Sequence, residues 1–257
     1  MFYGFNLTEF NCCGNHNRSQ FDIQKSGIKK QLVDLFSSNS AIDAEEVANV
    51  IFPTQDCDAF LSHSSRDIKL ALEIKARLES INLKVFIDSL VWDSVYELLE
   101  AIDNKHCLNQ DQQTYDYKKC QASASHIYMI LNSALHQMID KSEAFMFVNT
   151  DKSLVKDSTY SVINDKDKTY SAWIHSELHF SKLVERNRPL RMQVEQGIAI
   201  ESIQRALLAK ALQVKHPAPL EHLIPLNESR FNGWVESARR NPQACPLDLL
   251  YDHFQPR

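Results

Sequence analysis

Glycine is scarce in this 257-residue chain, and its scarcity excludes two kinds of nucleotide site. The five glycines are Gly4, Gly14, Gly27, Gly197 and Gly233, and no two of them lie within six residues of each other. A GxGxxG dinucleotide loop and a GxxxxGK[ST] phosphate loop both need closely spaced glycines, because the backbone must approach the phosphate groups. The sequence therefore contains neither loop.

The chain also lacks an excess of positive charge and a long apolar run. It has 28 Lys and Arg against 33 Asp and Glu, a net charge of −5 and a pI near 6.1, so no global basic field attracts nucleic acid or acidic lipid. The longest apolar run, residues 144–148, is far shorter than the roughly 18 residues of a membrane helix. Residues 1–11 have neither the basic nor the long apolar region of a secretory signal. We therefore expect a cytoplasmic protein with no membrane segment and no nucleic-acid partner.

Closely spaced cysteine pairs are missing as well. None of the six cysteines forms a CxxC pair, and a disulfide framework is unusual in a chain of this length, so we expect reduced thiols. Cys12, Cys13 and His16 have no second ligand pair at zinc-finger spacing, and two adjacent cysteines fit one tetrahedral ion poorly. His175 and His179 are one helical turn apart without a third ligand, which is typical of a surface pair. The sequence predicts no metal site.

What is present is a globular composition, with 44% hydrophobic and 24% charged residues. Residues 1–53 are predicted to form a helical N-terminal extension, since residues 27–36 and 41–51 carry apolar side chains at helical spacing and Pro53 ends the second pattern. Residues 54–257 are predicted to form the main domain. Three short runs rich in β-formers, at 59–61, 84–87 and 144–148, alternate there with helical patterns, which favours an α/β fold with a parallel sheet.

The connections within this domain are predicted as follows. Ser64 and Asp67 have the spacing of a capping box, in which both side chains satisfy free amides of the helix at 67–79. Two polar insertions, near 104–122 and 151–169, are predicted as long surface loops that serve as lids, as partner surfaces or as disordered segments. Towards the C-terminus we expect a strand at 190–194, a helix at 198–214, a short apolar run at 223–224 and a last helix at 231–238.

Polar residues follow each of the three predicted strands. Ser62 and His63 follow the first strand, Asp88 follows the second, and residues 149–151 follow the third. In an open parallel sheet, ligands bind beyond the carboxyl ends of the strands, so these side chains are expected at one binding rim. The alternative is ordinary loop polarity, with Ser64 acting only as a helix cap.

A helix capped near Ser171 contains the most informative carboxylate. Helical spacing places Glu177 on one side with Trp173, Phe180 and Val184, which is an apolar stripe. Burying a carboxylate there costs free energy unless the group is hydrogen-bonded, paired or used in chemistry. The alternative to a functional role is a Glu177 that caps a neighbouring turn or pairs with Arg188 or Lys182.

Three segments together resemble the TIR (Toll/interleukin-1 receptor) domain family. Residues 58–67, DAFLSHSSRD, are similar to its first box, in which a strand leads through a short polar loop into a helix. Residues 85–88, VFID, resemble its second strand and the start of its BB loop, and residues 171–178, SAWIHSEL, resemble its S-x-W-x-x-x-E-L stretch. The resemblance spans about residues 55–185. It implies a flavodoxin-like three-layer sandwich with a central parallel sheet, and it is closest to the standalone prokaryotic members.

Active members of that family cleave the nicotinamide–ribose bond of NAD⁺, so the resemblance implies an NAD⁺ glycohydrolase or cyclase that makes ADP-ribose or a cyclic isomer in antiphage or cell-death signalling. The matching catalytic glutamate is Glu177. Ser62, His63 and Asp88 are candidate pocket residues, Trp92 is a candidate aromatic surface for assembly or for a base, and Trp173 is expected to pack beneath the site. No cofactor is implied, since NAD⁺ is the substrate. The expected partners are further copies of the chain and a downstream effector that senses a cyclic product.

Two competing functions remain. A non-enzymatic TIR adaptor would act through homotypic association, and Glu177 would then be structural. A nucleoside deoxyribosyltransferase has a related fold and a glutamate nucleophile, but the S-x-W-x-x-x-E-L match favours the TIR family. Residues 89–96 lack the glycine that is usual in a BB loop, which leaves the mode of assembly open, and ordinary core packing is the alternative role of Trp92.

Overall fold

A five-stranded parallel sheet forms the centre of the molecule. Its strands are β1 (Tyr3–Thr8), β2 (Ala59–Ser62), β3 (Val85–Ile87), β4 (Ala144–Val148) and β7 (Ile224–Asn227). They lie in the order β3-β2-β4-β1-β7, and every neighbouring pair is parallel. Two short strands, β5 (Lys168–Thr169) and β6 (His216–Pro217), form a separate antiparallel pair. This computed structural model describes residues 1–11, 26–28, 30–32, 34–35, 43–51, 57–87, 95, 98–155, 167–189, 191 and 216–254.

Six helices flank the sheet in the described residues. They are α1 (Ala44–Ile51), α2 (Ile68–Glu79), α3 (Tyr117–Lys141), α4 (Ala172–Leu183), α5 (Glu228–Arg240) and α6 (Pro246–Asp252). Residues 26–28, 30–32, 34–35, 95 and 98–102 are also helical. A 3₁₀ turn (Ser65–Asp67) precedes α2, and a π-helical turn (Asp103–Cys107) precedes α3. Among the described helices, none combines the length and the apolar character needed to cross a bilayer.

Alternate side chains of the strands build two separate cores. Phe60, Phe145 and Phe147 face the layer that contains α1, α3 and α4. Leu61 and Met146 face the opposite layer, which contains α2, α5 and α6. Because successive side chains of a strand point to opposite faces, a strand buried on both sides is apolar throughout, as the AFMFV sequence of β4 is. The predicted α/β fold with a central parallel sheet is thus confirmed as a three-layer arrangement.

The first residues depart from the predicted helical extension of residues 1–53. Residues 3–8 are strand β1, which lies between β4 and β7, with Phe5 opposite both Met146 and Ile224. Phe5 and Leu7 are fully buried. They are two positions apart, which is the spacing of side chains on one face of a strand. The prediction was wrong here because the apolar residues at 1–7 are too few to reveal their period without knowledge of the strands on either side. Farther along, the helical predictions at 27–36 and 41–51 agree with the described helical residues and with α1.

The two polar insertions differ from the expected loops in different ways. In the first, Leu108 and Tyr115 form an antiparallel bridge, and α3 already begins at Tyr117. Asp116 caps this helix, because its carboxylate accepts hydrogen bonds from the backbone N–H groups of residues 118 and 119 at 2.9 and 3.3 Å. In the second insertion, residues 168 and 169 form strand β5, Val155 forms an antiparallel bridge with Lys168, and residues 156–166 lie outside the described residues.

Towards the C-terminus the outcome is mixed. The predicted helix at 198–214 lies outside the described residues, as does the predicted strand at 190–194 except for Arg191. The guanidinium of Arg191 donates hydrogen bonds to the carboxylates of Glu143 and Asp248 at 2.6–3.0 Å. The last predicted helix, at 231–238, is confirmed as the core of the longer α5. Helix α6 was not predicted, although its first residue is Pro246, which is favoured at that position.

The order of the strands places a topological switch point at the carboxyl end of β2, where open α/β sheets have a crevice. The chain leaves β2 through α2 on one face to reach β3, and it returns through α3 on the other face to β4, which lies on the opposite side of β2. The two connections therefore diverge between β2 and β4. Such a topological switch point is where open α/β sheets bind their ligands.

Candidate functional site

The residues that end β2 lie at this switch point and are shielded from solvent. Ser62, the last residue of the strand, is fully buried, and His63 and Ser64 are 3% and 8% exposed. Polar side chains are seldom buried without hydrogen-bond partners. The burial of Ser62 and His63 marks them as candidate site residues, whereas Ser64 caps the 3₁₀ turn that follows.

Ser62 and Glu177 form a direct hydrogen bond in this crevice. The Ser62 hydroxyl donates to Oε2 of Glu177 at 2.5 Å, and both side chains are fully buried. The two residues are 115 positions apart in sequence, so the contact depends on the packing of α4 against the carboxyl end of β2. This hydrogen bond satisfies Oε2 and offsets part of the cost of burying the carboxyl group.

Helix α4 presents Glu177 to the sheet because of where the helix begins. The Ser171 hydroxyl accepts a hydrogen bond from the Ile174 N–H at 3.2 Å, which caps the first turn as predicted. The buried face of the helix then carries Ile174, Glu177, Leu178 and Ser181, at the i, i+3, i+4, i+7 spacing of one helical stripe. The carboxylate thus lies on the inward face among aliphatic side chains.

Trp173 lies at the edge of this face. Its side chain is half-buried, and its ring centroid is 5.7 Å from that of Tyr128 on α3 at an interplanar angle of 48°. The stripe that the helix buries is therefore centred one position away from the predicted stripe. Only one of the four predicted residues is fully buried, namely Glu177 among Trp173, Glu177, Phe180 and Val184. Asp88 and Trp92, the other two predicted site residues, lie outside the described residues.

A second buried carboxylate, that of Asp67, lies at the same rim. The sequence had predicted a helix-capping role for it. Asp67 is 4% exposed, and its Oδ2 accepts a hydrogen bond from the Thr150 hydroxyl at 2.5 Å. Its Oδ1 pairs with the ammonium of Lys152 at 3.0 Å. The predicted capping box is therefore wrong for Asp67, which makes no side-chain cap bond to α2, whereas Ser64 accepts from the Arg66 N–H at 3.4 Å.

This network joins the loop after β2 to the loop after β4, so both walls of the crevice are tied together. The polar residues 149–151 had pointed to this rim, but Lys152 was missed. A lysine that follows a polar cluster after a strand is the signal that could have found it.

Helices α3 and α4 lie side by side through a row of polar and aromatic contacts. The Ser176 hydroxyl donates to Oδ1 of Asn132 at 2.7 Å and contacts Nε2 of His136 at 2.9 Å. Since a hydroxyl has one proton, the His136 ring must donate through Nε2. That ring stacks on Phe180 with centroids 4.2 Å apart. Burial, with a smaller contribution from His179, lowers the pKa of His136 to about 4, so the ring is neutral at physiological pH.

The predicted surface pair of His175 and His179 has further neighbours. The two rings stack with centroids 5.7 Å apart, and His175 also stacks on His216 of strand β6 at 4.9 Å. Nδ1 of His175 contacts the Pro217 carbonyl oxygen at 2.6 Å, and that oxygen can only accept, so Nδ1 carries the proton. Their stacking and this hydrogen bond attach α4 to β6.

One cluster in the described residues has the composition of a metal site. Asp103, Cys107 and Cys120 each offer one ligand atom, and the three atoms lie within 4.8 Å of one another. Cys120 lies on α3 two helical turns before Tyr128, so the cluster is separate from the Ser62–Glu177 pair.

No protein-family model, no curated protein and no solved structure matches this chain. The resemblance to TIR domains therefore rests on the three sequence segments. The geometry of the crevice between β2 and β4 is a separate observation that bears on function.

Proposed function

We propose that this protein has a flavodoxin-like TIR fold and cleaves the nicotinamide–ribose bond of NAD⁺, with Glu177 as the catalytic carboxylate. The observation that carries the proposal is the Ser62–Glu177 hydrogen bond at the topological switch point of the sheet. It joins two of the three sequence segments that resemble the TIR family, the segment at 58–67 and the segment at 171–178. If the likeness of each segment to the TIR family were a coincidence, there would be no reason for Ser62 and Glu177 to be in contact.

The chemistry needs a carboxylate and little else from the protein. The bond between C1′ of the ribose and the nicotinamide nitrogen breaks, and its electron pair leaves with neutral nicotinamide. The ribose is left with oxocarbenium character, which a fixed carboxylate nearby stabilises. Attack by water then gives ADP-ribose and a proton, whereas attack by an adenine nitrogen or a ribose hydroxyl of the same molecule gives a cyclic isomer. NAD⁺ is the substrate, and the proposal involves no metal or other cofactor.

The site residues have distinct roles in this proposal. Ser62 is a positioning residue, since its hydroxyl holds one oxygen of Glu177 and directs the carboxylate towards the crevice. His63 lines the floor of the crevice at the end of β2. Trp173 contacts Tyr128 with tilted rings and packs the first turn of α4, which supports the turn that carries Glu177. Asp88 and Trp92 keep their proposed roles as a pocket residue and an aromatic surface.

A non-enzymatic adaptor is the second candidate function, and one observation favours it. Glu177 is fully enclosed, and its hydrogen bond to Ser62 resembles that of a carboxylate that joins a helix to a sheet. In that case the carboxylate has a structural role, and the protein acts by homotypic association. The two candidates differ in whether Glu177 is needed for turnover or only for folding and assembly.

The proposed context is signalling in antiphage defence or cell death. NAD⁺ depletion or a cyclic ADP-ribose isomer would be the output, and self-association through TIR surfaces would be the means of activation. A downstream effector that senses a cyclic product and a cytoplasmic location complete this proposal.

The test is chromatography of NAD⁺ incubated with the purified full-length chain at high protein concentration, so that weak assemblies form. We expect the wild type to release nicotinamide and Glu177→Ala to release none, with the melting temperature of the variant changed by no more than a few degrees. The co-product distinguishes a hydrolase from a cyclase. Parallel incubations with deoxynucleosides test the deoxyribosyltransferase alternative, which predicts base exchange.

A matched control separates loss of chemistry from loss of structure. Glu177→Gln keeps the size of the side chain and an oxygen that accepts the Ser62 hydrogen bond, but it removes the charge. An adaptor predicts that Glu177→Gln associates as the wild type does and that neither protein consumes NAD⁺. Full activity in Glu177→Ala would contradict the catalytic assignment.

A further inference from the structure

Two thiols and a carboxylate meet where the first polar insertion joins α3. Asp103 and Cys107 are the first and last residues of the π-helical turn, and Cys120 lies in the first turn of α3. Their ligand atoms lie within 4.8 Å of one another. Cys107 is fully buried, whereas Asp103 and Cys120 are half-buried. The cluster is therefore closed on one side and open to solvent on the other.

The backbone between the two cysteines is fixed by hydrogen bonds. The carbonyl oxygen of Cys107 accepts a hydrogen bond from the Asp116 N–H at 2.7 Å, and the Cys120 N–H donates to the carbonyl oxygen of Asp116 at 3.0 Å. The intervening turn is closed by the bridge between Leu108 and Tyr115. Asp116 thus links the backbone of both cysteines. The two free thiols are brought together, and the Cys120 thiol is hydrogen-bonded to Cys107 and to the Asp103 carboxylate.

The side chains around the cluster leave an acceptor that a cation would satisfy. Oδ1 of Asp103 is shielded from solvent and receives no hydrogen bond from an N–H or O–H group of the described residues. Buried carboxylate oxygens are otherwise nearly always hydrogen-bonded or bound to metal. The Ser123 hydroxyl lies 3.6 Å from Sγ of Cys107, where it can support a thiolate.

We propose that Asp103, Cys107 and Cys120 bind one Zn²⁺ ion, with water in the fourth position. Thiolates and carboxylates are both common zinc ligands, and two thiolates select a soft divalent ion over Mg²⁺ or Ca²⁺. Each bound ion displaces two thiol protons, which pass to solvent, and the carboxylate is the third protein ligand. A tetrahedral ion with ligand bonds of about 2.0–2.3 Å places its ligand atoms less than about 4 Å apart, which the cluster reaches with small side-chain rotations.

The bound ion would connect the start of α3 to the π-helical turn that precedes it. Tyr128 and Asn132, which contact α4, follow on the same helix. This site does not depend on NAD⁺ chemistry, so its outcome and that of the proposed function are independent. A disulfide between Cys107 and Cys120 is the competing chemistry for the same two thiols.

The test uses Co²⁺ as a spectroscopic probe for Zn²⁺ in the full-length, fully reduced chain. Thiolate ligands give Co²⁺ an intense charge-transfer absorption in the near ultraviolet, which carboxylate ligands alone do not give. We expect one equivalent of Co²⁺ to produce this band in the wild type and added Zn²⁺ to remove it by competition. Cys120→Ala should lose the band, and Asp103→Asn should weaken binding by about tenfold or more.

Two control variants identify which thiols are responsible. Cys245→Ala removes a half-buried thiol elsewhere, and the double variant Cys12→Ala/Cys13→Ala removes the adjacent pair near His16. Both should keep the band of the wild type. A band that survives in Cys120→Ala but disappears in the Cys12/Cys13 variant would overturn the proposal.

Thermal unfolding provides a readout that does not depend on absorption. One equivalent of Zn²⁺ should raise the melting temperature of the wild type but not that of Cys120→Ala, because a ligand that binds only the folded state stabilises it. Cys120→Ala changes a half-buried residue, so it should fold well enough for this comparison. Failure of Zn²⁺ to stabilise the reduced wild type, or a Cys107–Cys120 disulfide that forms in its place, would overturn the proposal.

Discussion

The two faces of the central sheet differ in the polar contacts that they enclose. The face covered by α2, α5 and α6 encloses large aromatic residues, among which Phe5, Phe231, Trp234 and Tyr251 are at most 1% exposed. We call this the aromatic face. The opposite face, covered by α1, α3 and α4, also encloses buried aromatics (Phe60, Phe145 and Phe147), but it contains in addition the Glu177 carboxylate and the hydrogen-bonded contacts between α3 and α4. We call this the polar face.

The aromatic face is built for stability. Burying one large apolar side chain contributes roughly 1.5–3 kcal/mol, and the polar atoms of these aromatics are satisfied. The Trp234 indole donates to the Pro246 carbonyl at 2.7 Å, and the Tyr251 hydroxyl donates to Oε1 of Glu143 at 3.0 Å. Burial, followed by the Glu143 carboxylate, raises the pKa of Tyr251 well above its ordinary value, so this hydroxyl keeps its proton.

The polar face contributes less to stability, because part of its packing consists of specific polar contacts. A hydrogen bond inside a protein is worth about 1 kcal/mol net, whereas leaving one buried partner unsatisfied costs about 1–3 kcal/mol. The Ser62–Glu177 pair and the Asn132–Ser176–His136 row therefore determine how α3 and α4 dock more than they stabilise the fold. Polar groups retained in this way mark the region where chemistry is expected.

The largest expected effect on stability lies on the aromatic face. Trp234→Ala removes a fully buried indole and should lower the free energy of unfolding by about 3–5 kcal/mol, as measured by chemical denaturation. Ser229→Ala, on the exposed side of the same helix, should change it by no more than about 0.5 kcal/mol. A loss below about 1 kcal/mol in Trp234→Ala would show that this face is not the main source of stability.

A smaller effect is expected from the pair on the polar face. Ser62→Ala leaves Oε2 of Glu177 without its hydroxyl donor and should cost about 1–3 kcal/mol of stability. If Ser62 positions the catalytic carboxylate, nicotinamide release per folded molecule should also fall, which Trp234→Ala should not cause. Urea titration and an activity assay on the same sample separate the two effects, and unchanged values in both would remove Ser62 from the site.

The Asp67 network should be less sensitive at its exposed end. The Lys152 side chain is 57% exposed, so Lys152→Ala should cost less than about 1 kcal/mol. Thr150→Val removes the hydroxyl, on a half-buried side chain, that donates to Asp67 and should cost about 1 kcal/mol. Equilibrium unfolding of both variants tests this order, and a larger loss in Lys152→Ala would reverse our view of which contact holds the rim.

Acid should weaken the polar face through His136. Because burial lowers its pKa from 6.5 to about 4, the unfolded chain binds its proton first, and stability present above pH 6.5 declines as the pH falls towards 4. His136→Gln keeps an N–H donor for Ser176 and should make this decline shallower in melting curves recorded between pH 7 and 4. His253→Gln, at an exposed position, serves as the control, and an unchanged decline in His136→Gln would contradict the assignment.

Much of the fold was predictable from the sequence, because buried parallel strands and amphipathic helices leave clear patterns. β2, β3, β4, α2 and α5 were all predicted close to their observed bounds. β1 was missed because a strand in the middle of a sheet owes its position to both neighbours, and neither is near it in sequence. Helix α3 was not predicted, and its first turns were assigned to a loop because their polar side chains face solvent, as those of a surface loop do.

The burial of Ser62 and Glu177 was predictable from the sequence, but their contact was not. Helical spacing indicated that Glu177 is buried, and strand ends indicated Ser62, but only the tertiary packing brings the two together at 2.5 Å. Asp67 was assigned to a helix cap from local spacing, whereas a threonine 83 positions away takes its carboxylate. Local sequence patterns assign a polar residue to a partner that is near it in sequence. Tertiary packing can supply a partner that is distant in sequence, as Thr150 is for Asp67.

The two buried carboxylates of the rim offer the most direct test of the central claim. Glu177→Gln and Asp67→Asn each remove one charge from the same crevice at nearly constant volume, and the rate of nicotinamide release from NAD⁺ is measured for both beside the wild type. We predict that Glu177→Gln lowers the rate by at least about 100-fold while Asp67→Asn stays within about tenfold of the wild type. A Glu177→Gln variant that releases nicotinamide at the wild-type rate would contradict the claim that this carboxylate performs the chemistry.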